Sequence, residues 1–360
     1  RRPVHIDSVE RWIVSRDAQA PKWTPVEPDD DGRVSIPHNA WARFIFESDT
    51  RTPALLDASA FSEAWINGLP RGGDLYAFGD TRLPFMLEAG RNEVLLQSGR
   101  GQPAPVVHTA DMLRRIGAPR TAMLGGRDRT MPDTISGRPL DEWGAVLVWN
   151  IEPTPLRDAV ITATIGDQSV STAVPPIPPL SFLKVTVQLR ASASNSNALD
   201  VSLSLRGPSG TVLADDAFTL RVREETQWRK HTFRSNIDGS VQYYGLVPAV
   251  GEYDGPVGTV LSLHGASVKA SGQANCYQTR PWCIVAAPTN RRPYGFDWEE
   301  WGRLDALEAM ADAQQRYDVD PAHTWLTGHS MGGHGTWNIG LTVPDRFAAI
   351  APSAGWRSFW

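Results

Sequence analysis

The pentapeptide Gly328-His329-Ser330-Met331-Gly332 has the clearest chemical meaning in this chain, because it fits the pattern Gly-x-Ser-x-Gly. The largely apolar run His323-Thr324-Trp325-Leu326-Thr327 precedes it and predicts a buried strand. The residues after the pentapeptide carry apolar side chains at helical spacing, which predicts a helix. A serine on so sharp a strand-to-helix turn has a strained backbone and an exposed hydroxyl, as a nucleophile for acyl transfer requires. Ser330 is therefore the predicted nucleophile.

An acyl-transfer site also needs hydrogen-bond donors for the negative charge that develops on the carbonyl oxygen. The backbone N–H of Met331, directly after the serine, is one predicted donor. A second donor is expected from the loop after an earlier buried strand, and that loop reads His264-Gly265-Ala266. We assign the second donor to the N–H of Ala266, with Gly265 shaping the loop. The alternative interpretation is an ordinary strand-to-loop turn that contains glycine.

The loop over residues 290–301 follows a predicted buried strand and mixes arginines with aromatic residues. Ligands bind beyond the carboxyl ends of the strands in α/β sheets, so this loop is a candidate wall of a substrate site. The candidate substrate-binding residues are Arg291, Arg292, Tyr294 and Trp298. One of the two arginines would meet a carboxylate of the substrate. In the alternative interpretation, the arginines stack on tryptophans within a packed loop.

Acyl transfer by Ser330 also needs a general base and an acid partner, and the histidines of this sequence are poor candidates for the base. We expect His264 to hold its own loop by hydrogen bonds and His334 to pack within the helix. His329 should diverge from the serine at the tight turn, and His323 lies at the wrong end of the strand. We therefore expect the acid and the base to lie beyond residue 360, in a natural protein that continues past this chain.

Three regions of the chain differ in their hydrophobic patterns. Residues 1–140 contain short apolar runs separated by turn signals such as Asn67-Gly68, which is typical of a β-sandwich. Residues 141–225 alternate apolar and polar positions with a period of two, which predicts a second sandwich. Residues 226–360 begin with a predicted antiparallel hairpin and then alternate strands with helices, which predicts a mostly parallel sheet. The predicted fold is multidomain, with two all-β domains followed by an α/β domain.

Two elements of the third region follow from local signals. Leu304, Leu307 and Tyr317 have helical spacing, and Pro321 is expected to close that helix because proline disfavours helix at the preceding residue. The apolar run over residues 347–351 predicts one more buried strand. Without further strands beside it, this strand would form an exposed apolar edge.

The composition is that of an ordinary globular protein. The chain has 360 residues, a net charge of -5 and an apolar fraction of 41%. The negative charge argues against a nucleic-acid partner, and no apolar run is long enough to span a membrane. No Cys/His spacing typical of a metal site occurs, and no cofactor is expected. Cys276 and Cys283 could form a small disulfide loop or remain buried thiols.

Residues 261–356 resemble the α/β-hydrolases of the prolyl oligopeptidase, dienelactone hydrolase and polyhydroxybutyrate depolymerase-like esterase group. The resemblance rests on Leu263-His264-Gly265-Ala266, on residues 287–295 and 326–333, and on Ala351-Pro352-Ser353-Ala354-Gly355. It implies an α/β-hydrolase fold for the third region, with a catalytic acid and then a histidine after the serine in chain order. Residues 64–94 are similar to jelly-roll, galactose-binding-like domains, and the second region looks like an immunoglobulin or fibronectin domain.

The residues and the resemblance together predict a serine hydrolase, a carboxylesterase or peptidase-like enzyme, that forms an acyl-enzyme on Ser330. An ester substrate, small or polysaccharide-linked, is favoured over a peptide because the N-terminal domains resemble polysaccharide-associated ones. The competing hypothesis is a non-catalytic carbohydrate-binding or scaffold protein with an incomplete hydrolase domain. We expect a secreted or periplasmic location, and the oligomeric state stays open.

Overall fold

The computed structural model of this protein is built mainly from β-strands, with three α-helices among the residues that it describes. The structure describes residues 23–27, 29–30, 34–37, 40–74, 81–99, 105–109, 122–291 and 297–357. Within this part of the chain, the strands form five sheets.

Two sheets in the first part of the described chain share one apolar core. The strands of the first sheet, in spatial order, are β1 (Trp41–Ser48), β6 (Gly90–Ser98), β3 (Phe61–Ile66) and β4 (Leu69–Gly72). Those of the second sheet are β5 (Arg82–Leu87), β2 (Thr52–Asp57) and β7 (Val106–Thr109). Side chains of both sheets, among them Leu56, Phe61 and Leu96, are buried in one cluster. The predicted hairpin turn is confirmed, since Asn67 and Gly68 have positive φ angles of 47° and 78° between β3 and β4.

A second pair of sheets follows and encloses the largest buried cluster. The first of these sheets contains β13 (Ser181–Ala191), β10 (Leu140–Asn150) and β8 (Ala122–Thr130). The other contains β12 (Gln168–Ala173), β11 (Val160–Ile165), β14 (Ala198–Arg206), β15 (Val212–Arg223) and β9 (Thr134–Ile135). Val148, Ile161 and Leu203 point from the two sheets into the common cluster. The period-two pattern is therefore confirmed here, while the boundaries predicted at residues 140 and 225 stay predictions.

The last sheet carries the predicted nucleophile and has six strands. In spatial order they are β16 (Arg229–Arg234), β17 (Val241–Val247), β19 (Cys283–Pro288), β18 (Val257–Leu263), β20 (Val319–His329) and β21 (Ala349–Ser353). β17 is antiparallel to both β16 and β19, whereas β19, β18, β20 and β21 run parallel to one another. The predicted antiparallel hairpin followed by parallel strands is confirmed.

Three helices cover the two faces of this sheet. They are α1 (Ala270–Asn275), α2 (Glu300–Arg316) and α3 (Met331–Thr342). On one face, Ala274 of α1 packs with Val285 and Ala287 of β19. On the other face, side chains of α2 and α3 such as Ala309 and Ile339 join the cluster beneath the parallel strands. The carboxyl ends of β18, β19 and β20 therefore lie at one edge of the sheet, between two layers of helix.

The role predicted for Pro321 is wrong, although α2 ends within one residue of the predicted Tyr317. The helix ends at Arg316, and Pro321 lies inside β20 instead of closing the helix. Proline is tolerated there because the pairing of β20 with β18 is irregular: Val257 faces Val319, whereas Thr259 already faces Thr324. Pro321 therefore sits in a bulge, where its missing N–H costs no ladder hydrogen bond.

The strand predicted over residues 347–351 is also displaced. It begins at Ala349 and ends at Ser353, and its side chains alternate between exposed and half-buried instead of being buried. The cause is its position, because in the described sheet β21 pairs with β20 and forms the edge. A short 3₁₀ helix, Pro344–Arg346, connects α3 to this strand.

Both cysteines are free thiols, so the structure contains no disulfide between them. Cys276 is exposed and lies just after α1, whereas Cys283 is buried at the start of β19. Burial raises the pKa of the Cys283 thiol to about 11, which keeps it protonated and unreactive at neutral pH.

The contact between α1 and β17 leaves no room for a side chain at Gly245. A methyl group there would lie 2.5 Å from Ala274 Cβ and 2.8 Å from Ala270 O. We expect Gly245→Ala to lower the free energy of unfolding by about 1–3 kcal/mol, because the helix must move off the sheet.

Gly72→Ala is the matched strand control, since nothing lies within 4 Å of a methyl group built at Gly72. Its effect should stay below about 0.5 kcal/mol. Denaturant unfolding followed by tryptophan fluorescence measures both variants, and equal losses in the two would contradict the packing argument.

Candidate active site

Ser330 occupies the turn between β20 and α3 and has the strained backbone that the motif predicts. Its φ is 57° and its ψ is −119°, a region that residues with a side chain rarely adopt. Two hydrogen bonds fix this conformation. The Ser330 N–H donates to the carbonyl of Ser353 over 2.9 Å, and the Ser330 carbonyl accepts from the His334 N–H over 3.0 Å. The elbow is thus tied to β21 on one side and to the first turn of α3 on the other.

The glycines of the motif are required by close backbone contacts. A side chain at Gly332 would collide with the carbonyl oxygen of Leu263, the last residue of β18. A side chain at Gly328 would collide with the carbonyl of Gly332. Only glycine permits the end of β18, the end of β20 and the start of α3 to come this close.

The predicted oxyanion donors, the N–H groups of Met331 and Ala266, belong to segments that lie beside Ser330. Met331 is the first residue of α3, so its N–H has no acceptor within the helix. Ala266 lies in a turn in which the carbonyl of Gly265 accepts from the Val268 N–H over 3.3 Å, which leaves the Ala266 N–H outside that bond. A methyl group at Gly265 would be 3.6 Å from Ser330 Cβ, so this loop lies against the serine.

His264 holds this loop in place, as the sequence predicts. Its side chain is fully buried, with Nδ1 2.9 Å from the carbonyl oxygen of Gly265 and Nε2 3.1 Å from that of Thr289. Burial lowers the pKa of the imidazole, although the two carbonyls oppose the shift. The neutral ring has a single N–H, so it donates to one of the two carbonyls at a time.

Trp298 lies inside the protein rather than on a substrate wall. Its side chain is fully buried, and its ring meets the ring of His264 edge to face, with the centroids 4.8 Å apart. Its backbone N–H donates to Oδ1 of Asn290 over 3.2 Å. Asn290 is itself fully buried and has a positive φ of 59° directly after β19. The bond between Trp298 and Asn290 therefore joins the two described ends of the loop between β19 and α2.

Arg291 is also turned inward. Its side chain is 6% exposed and reaches three carboxylates, those of Asp238 (3.2 Å), Glu308 (3.3 Å) and Asp305 (3.6 Å). Its guanidinium carbon lies 5.5 Å from the ring centroid of Trp301. The interpretation of arginine stacked on tryptophan in a packed loop therefore fits Arg291. Arg292 and Tyr294 lie outside the described residues, and their substrate role stays a prediction.

Asp305 has a role that the sequence analysis missed. Its side chain is fully buried in the second turn of α2. Its carboxylate accepts from the hydroxyl of Thr289 over 3.1 Å and from the Arg291 N–H over 3.3 Å. The spacing of Asp305 with Ala309 and Ala313, both on the buried face of α2, is the signal that could have placed it.

The side chains of His329 and His334, the two histidines next to the elbow, contact groups other than Ser330. His334 is buried, and its ring nitrogens lie 3.0 Å from the carbonyl oxygen of Trp356 and 2.9 Å from Oε1 of Glu299. Its ring also stacks on that of Trp356, with the centroids 4.8 Å apart. Nδ1 of His329 lies 3.2 Å from Oγ of Ser353. These contacts are made with groups other than the Ser330 hydroxyl, and the pair of Glu299 and His334 joins the start of α2 to α3.

Two further properties concern the described residues as a whole. Among them, no group of three or more His, Cys, Asp or Glu side chains is arranged to hold a metal ion. None of their helices has both the length and the apolar character needed to cross a membrane.

Comparison with known proteins yields distant similarities. The chain is 27% identical over 184 residues to poly(3-hydroxyalkanoate) depolymerase C of Paucimonas lemoignei, a match that covers 47% of this chain and 42% of that protein. It is 32% identical over 115 residues to an uncharacterized secreted protein of Arthroderma benhamiae, covering 28% of this chain and 12% of that protein. The chain thus spans less than half the length of either relative. No protein-family model matches it.

Solved structures that resemble this one include a thermostable esterase. The superposition has a TM-score of 0.31 and 17% sequence identity, and it covers 66% of this chain and 77% of the esterase.

Asp305 should give the stability of the protein a measurable pH dependence. Burial raises the pKa of its carboxyl from 3.8 to about 6, and the nearby Arg291 only partly opposes the shift. The folded protein therefore binds this proton more tightly than the unfolded chain does, and the free energy of unfolding falls as the pH rises from about 4 to about 6.

The substitution Asp305→Asn removes this titration. Across that window, we expect the free energy of unfolding of the wild type to fall by about 2–3 kcal/mol relative to the variant. Urea unfolding at a series of pH values measures the difference. A difference that stays constant with pH, or one that changes in the opposite direction, would contradict the buried position of this carboxyl.

Proposed function

We propose that this protein is a serine hydrolase of the α/β-hydrolase type and that Ser330 is its nucleophile. The observation that carries the proposal is the elbow itself, a serine with φ of 57° between a parallel strand and a helix, packed against the loop after β18. The order of the strands and the helices on both faces of the sheet support the fold assignment. The similarity to a depolymerase supports a hydrolase role.

In the proposed reaction, Oγ of Ser330 attacks the carbonyl carbon of an ester while its proton passes to a general base. The negative charge that forms on the carbonyl oxygen is stabilised by the N–H groups of Met331 and Ala266. The positive end of α3 adds to this stabilisation. Loss of the alcohol, which takes up the proton, leaves an acyl-enzyme on Ser330. Attack by water on the acyl carbon then releases the carboxylic acid and restores the serine.

The proposed substrate is an ester, small or attached to a polymer, rather than a peptide. The depolymerase similar to this chain is named for poly(3-hydroxyalkanoate), a polyester. Two pairs of sheets precede the proposed catalytic sheet, and we propose that they hold the polymer chain. Arg292 and Tyr294 follow Arg291 on the loop after β19, and we keep them as proposed substrate contacts. A secreted or periplasmic location agrees with the relative that is described as secreted.

The second candidate is a non-catalytic binding or scaffold protein. It is favoured by the contacts of His264, His329 and His334, each of which is made with a group other than the Ser330 hydroxyl. A fold that keeps the elbow but lacks a base would bind a polymer through its β-sandwiches without cleaving it.

Covalent labelling separates the two candidates. A fluorophosphonate probe should label the full-length protein on Ser330, and the full-length protein should hydrolyse p-nitrophenyl esters. Ser330→Ala should remove both activities, with a rate loss of about 10⁴-fold or more because the nucleophile is gone.

Ser209→Ala is the matched control, because Ser209 lies in an exposed turn and bonds to Thr211. It should leave labelling and hydrolysis unchanged. If the wild type is not labelled, or Ser330→Ala is labelled equally, the protein is not a serine hydrolase acting through this residue. Binding of a polymer by such an unlabelled protein would support the second candidate.

A further inference from the structure

Trp298 contacts three separate backbone segments around the nucleophile. Its indole Nε1 donates to the carbonyl of His264 over 3.0 Å. Its backbone N–H donates to Asn290, and its backbone carbonyl accepts from Nδ2 of Asn338 in α3 over 3.0 Å. The loop after β18, the loop after β19 and the nucleophile helix are therefore held by one residue.

The bond to the His264 carbonyl bears on the loop that provides Ala266. The carbonyl of His264 and the N–H of Gly265 belong to one planar peptide unit, so fixing the oxygen fixes the direction of that N–H. Gly265 lacks a side chain that would restrict its own rotation. The Ala266 N–H belongs to the next peptide unit, whose Gly265 carbonyl accepts from the Val268 N–H and lies 2.9 Å from Nδ1 of His264. Trp298 holds His264 by its carbonyl and by its ring, so loss of the indole N–H would loosen the residue whose side chain holds the Gly265 carbonyl.

Trp298 also packs against α3. The ring of Trp298 fills the space beside Gly335, where any side chain would collide with the indole. Gly335 and Asn338 belong to the same helix as Met331, the other proposed oxyanion donor. Trp298 therefore touches the element that carries each of the two donors.

We propose that Trp298 is a positioning residue for the oxyanion site and acts through the carbonyl of His264. This inference rests on the proposed function and deepens it. A direct contact with substrate is inconsistent with a side chain that is 0% exposed. The indole N–H is also already donated to the protein backbone. We expect Trp298 to stabilise the transition state more than the bound substrate. The reason is that the oxyanion donors form their strongest bonds only when the carbonyl oxygen becomes charged.

The test is Trp298→Phe in the full-length protein, a change that removes the indole N–H and keeps an aromatic ring. We expect kcat, counted per fluorophosphonate-labelled site, to fall by about 10-fold to 100-fold, while KM changes less than about twofold. The inhibition constant of a trifluoromethyl ketone, which forms a tetrahedral adduct on serine, should rise in proportion to the loss of kcat/KM.

Trp301→Phe is the matched control. Trp301 lies three positions further along the chain, in α2, is 44% exposed and stacks on Arg291. It should keep the wild-type kcat and inhibitor affinity. Asn338→Ala is a second variant that removes the bond to the Trp298 carbonyl from a half-buried position, and it should lower kcat in the same direction by a smaller factor. It keeps the inference testable where Trp298→Phe fails to fold.

Several outcomes would overturn the inference. A variant with lower thermal stability but unchanged kcat per labelled site would show that Trp298 is a packing residue. A rise in KM at constant kcat would show a substrate contact. A wild-type protein that is not labelled at all would remove the proposed function and this inference with it, whereas labelling of the wild type with equal kinetics in Trp298→Phe would remove only the inference.

Discussion

The close approach of two backbone segments, the end of β18 and the first turn of α3, is the constraint on which the rest of this site depends. The carbonyl of Leu263 lies where a side chain at Gly332 would have to be. Because the two segments touch without intervening side chains, the loop after β18 is brought directly beside Ser330. The strain at Ser330 is sustained by the surrounding packing and by its hydrogen bond to Ser353.

The loop after β19 is fixed in a different way, by buried polar groups. Asn290 and Asp305 are fully buried, and Arg291 reaches three carboxylates. Buried charges of this kind add little net stability, but removing one partner leaves an uncompensated charge and is costly. The network therefore favours one arrangement of the loop over others. That arrangement is also the one in which Trp298 reaches His264, so the polar network and the elbow reinforce each other.

The local features of the fold could be predicted from the sequence, because they depend on residues close together in the chain. Asn67 and Gly68 identify their hairpin, and Gly328 to Gly332 identify the elbow, since each turn needs particular residue types at fixed spacing. The inward direction of Arg291 and Trp298 could not be predicted in this way. Their partners, such as Asp238, His264 and Asn338, are distant in sequence, and an arginine or a tryptophan after a strand suits a substrate wall as well as a packed loop. The position of β21 also depends on its neighbours rather than on its own apolar residues.

The irregular pairing at the start of β20 has a consequence for how this protein can vary. Val257 and Thr259 of β18 face Val319 and Thr324 of β20, so the extra residues around Pro321 are absorbed before regular pairing begins. From Thr324 onward, each residue of β20 is in register with β18 as far as Gly328. The position of Ser330 therefore does not depend on the length of the segment before Thr324. Insertions or deletions near Pro321 would change the surface at the far end of the sheet and leave Ser330 where it is.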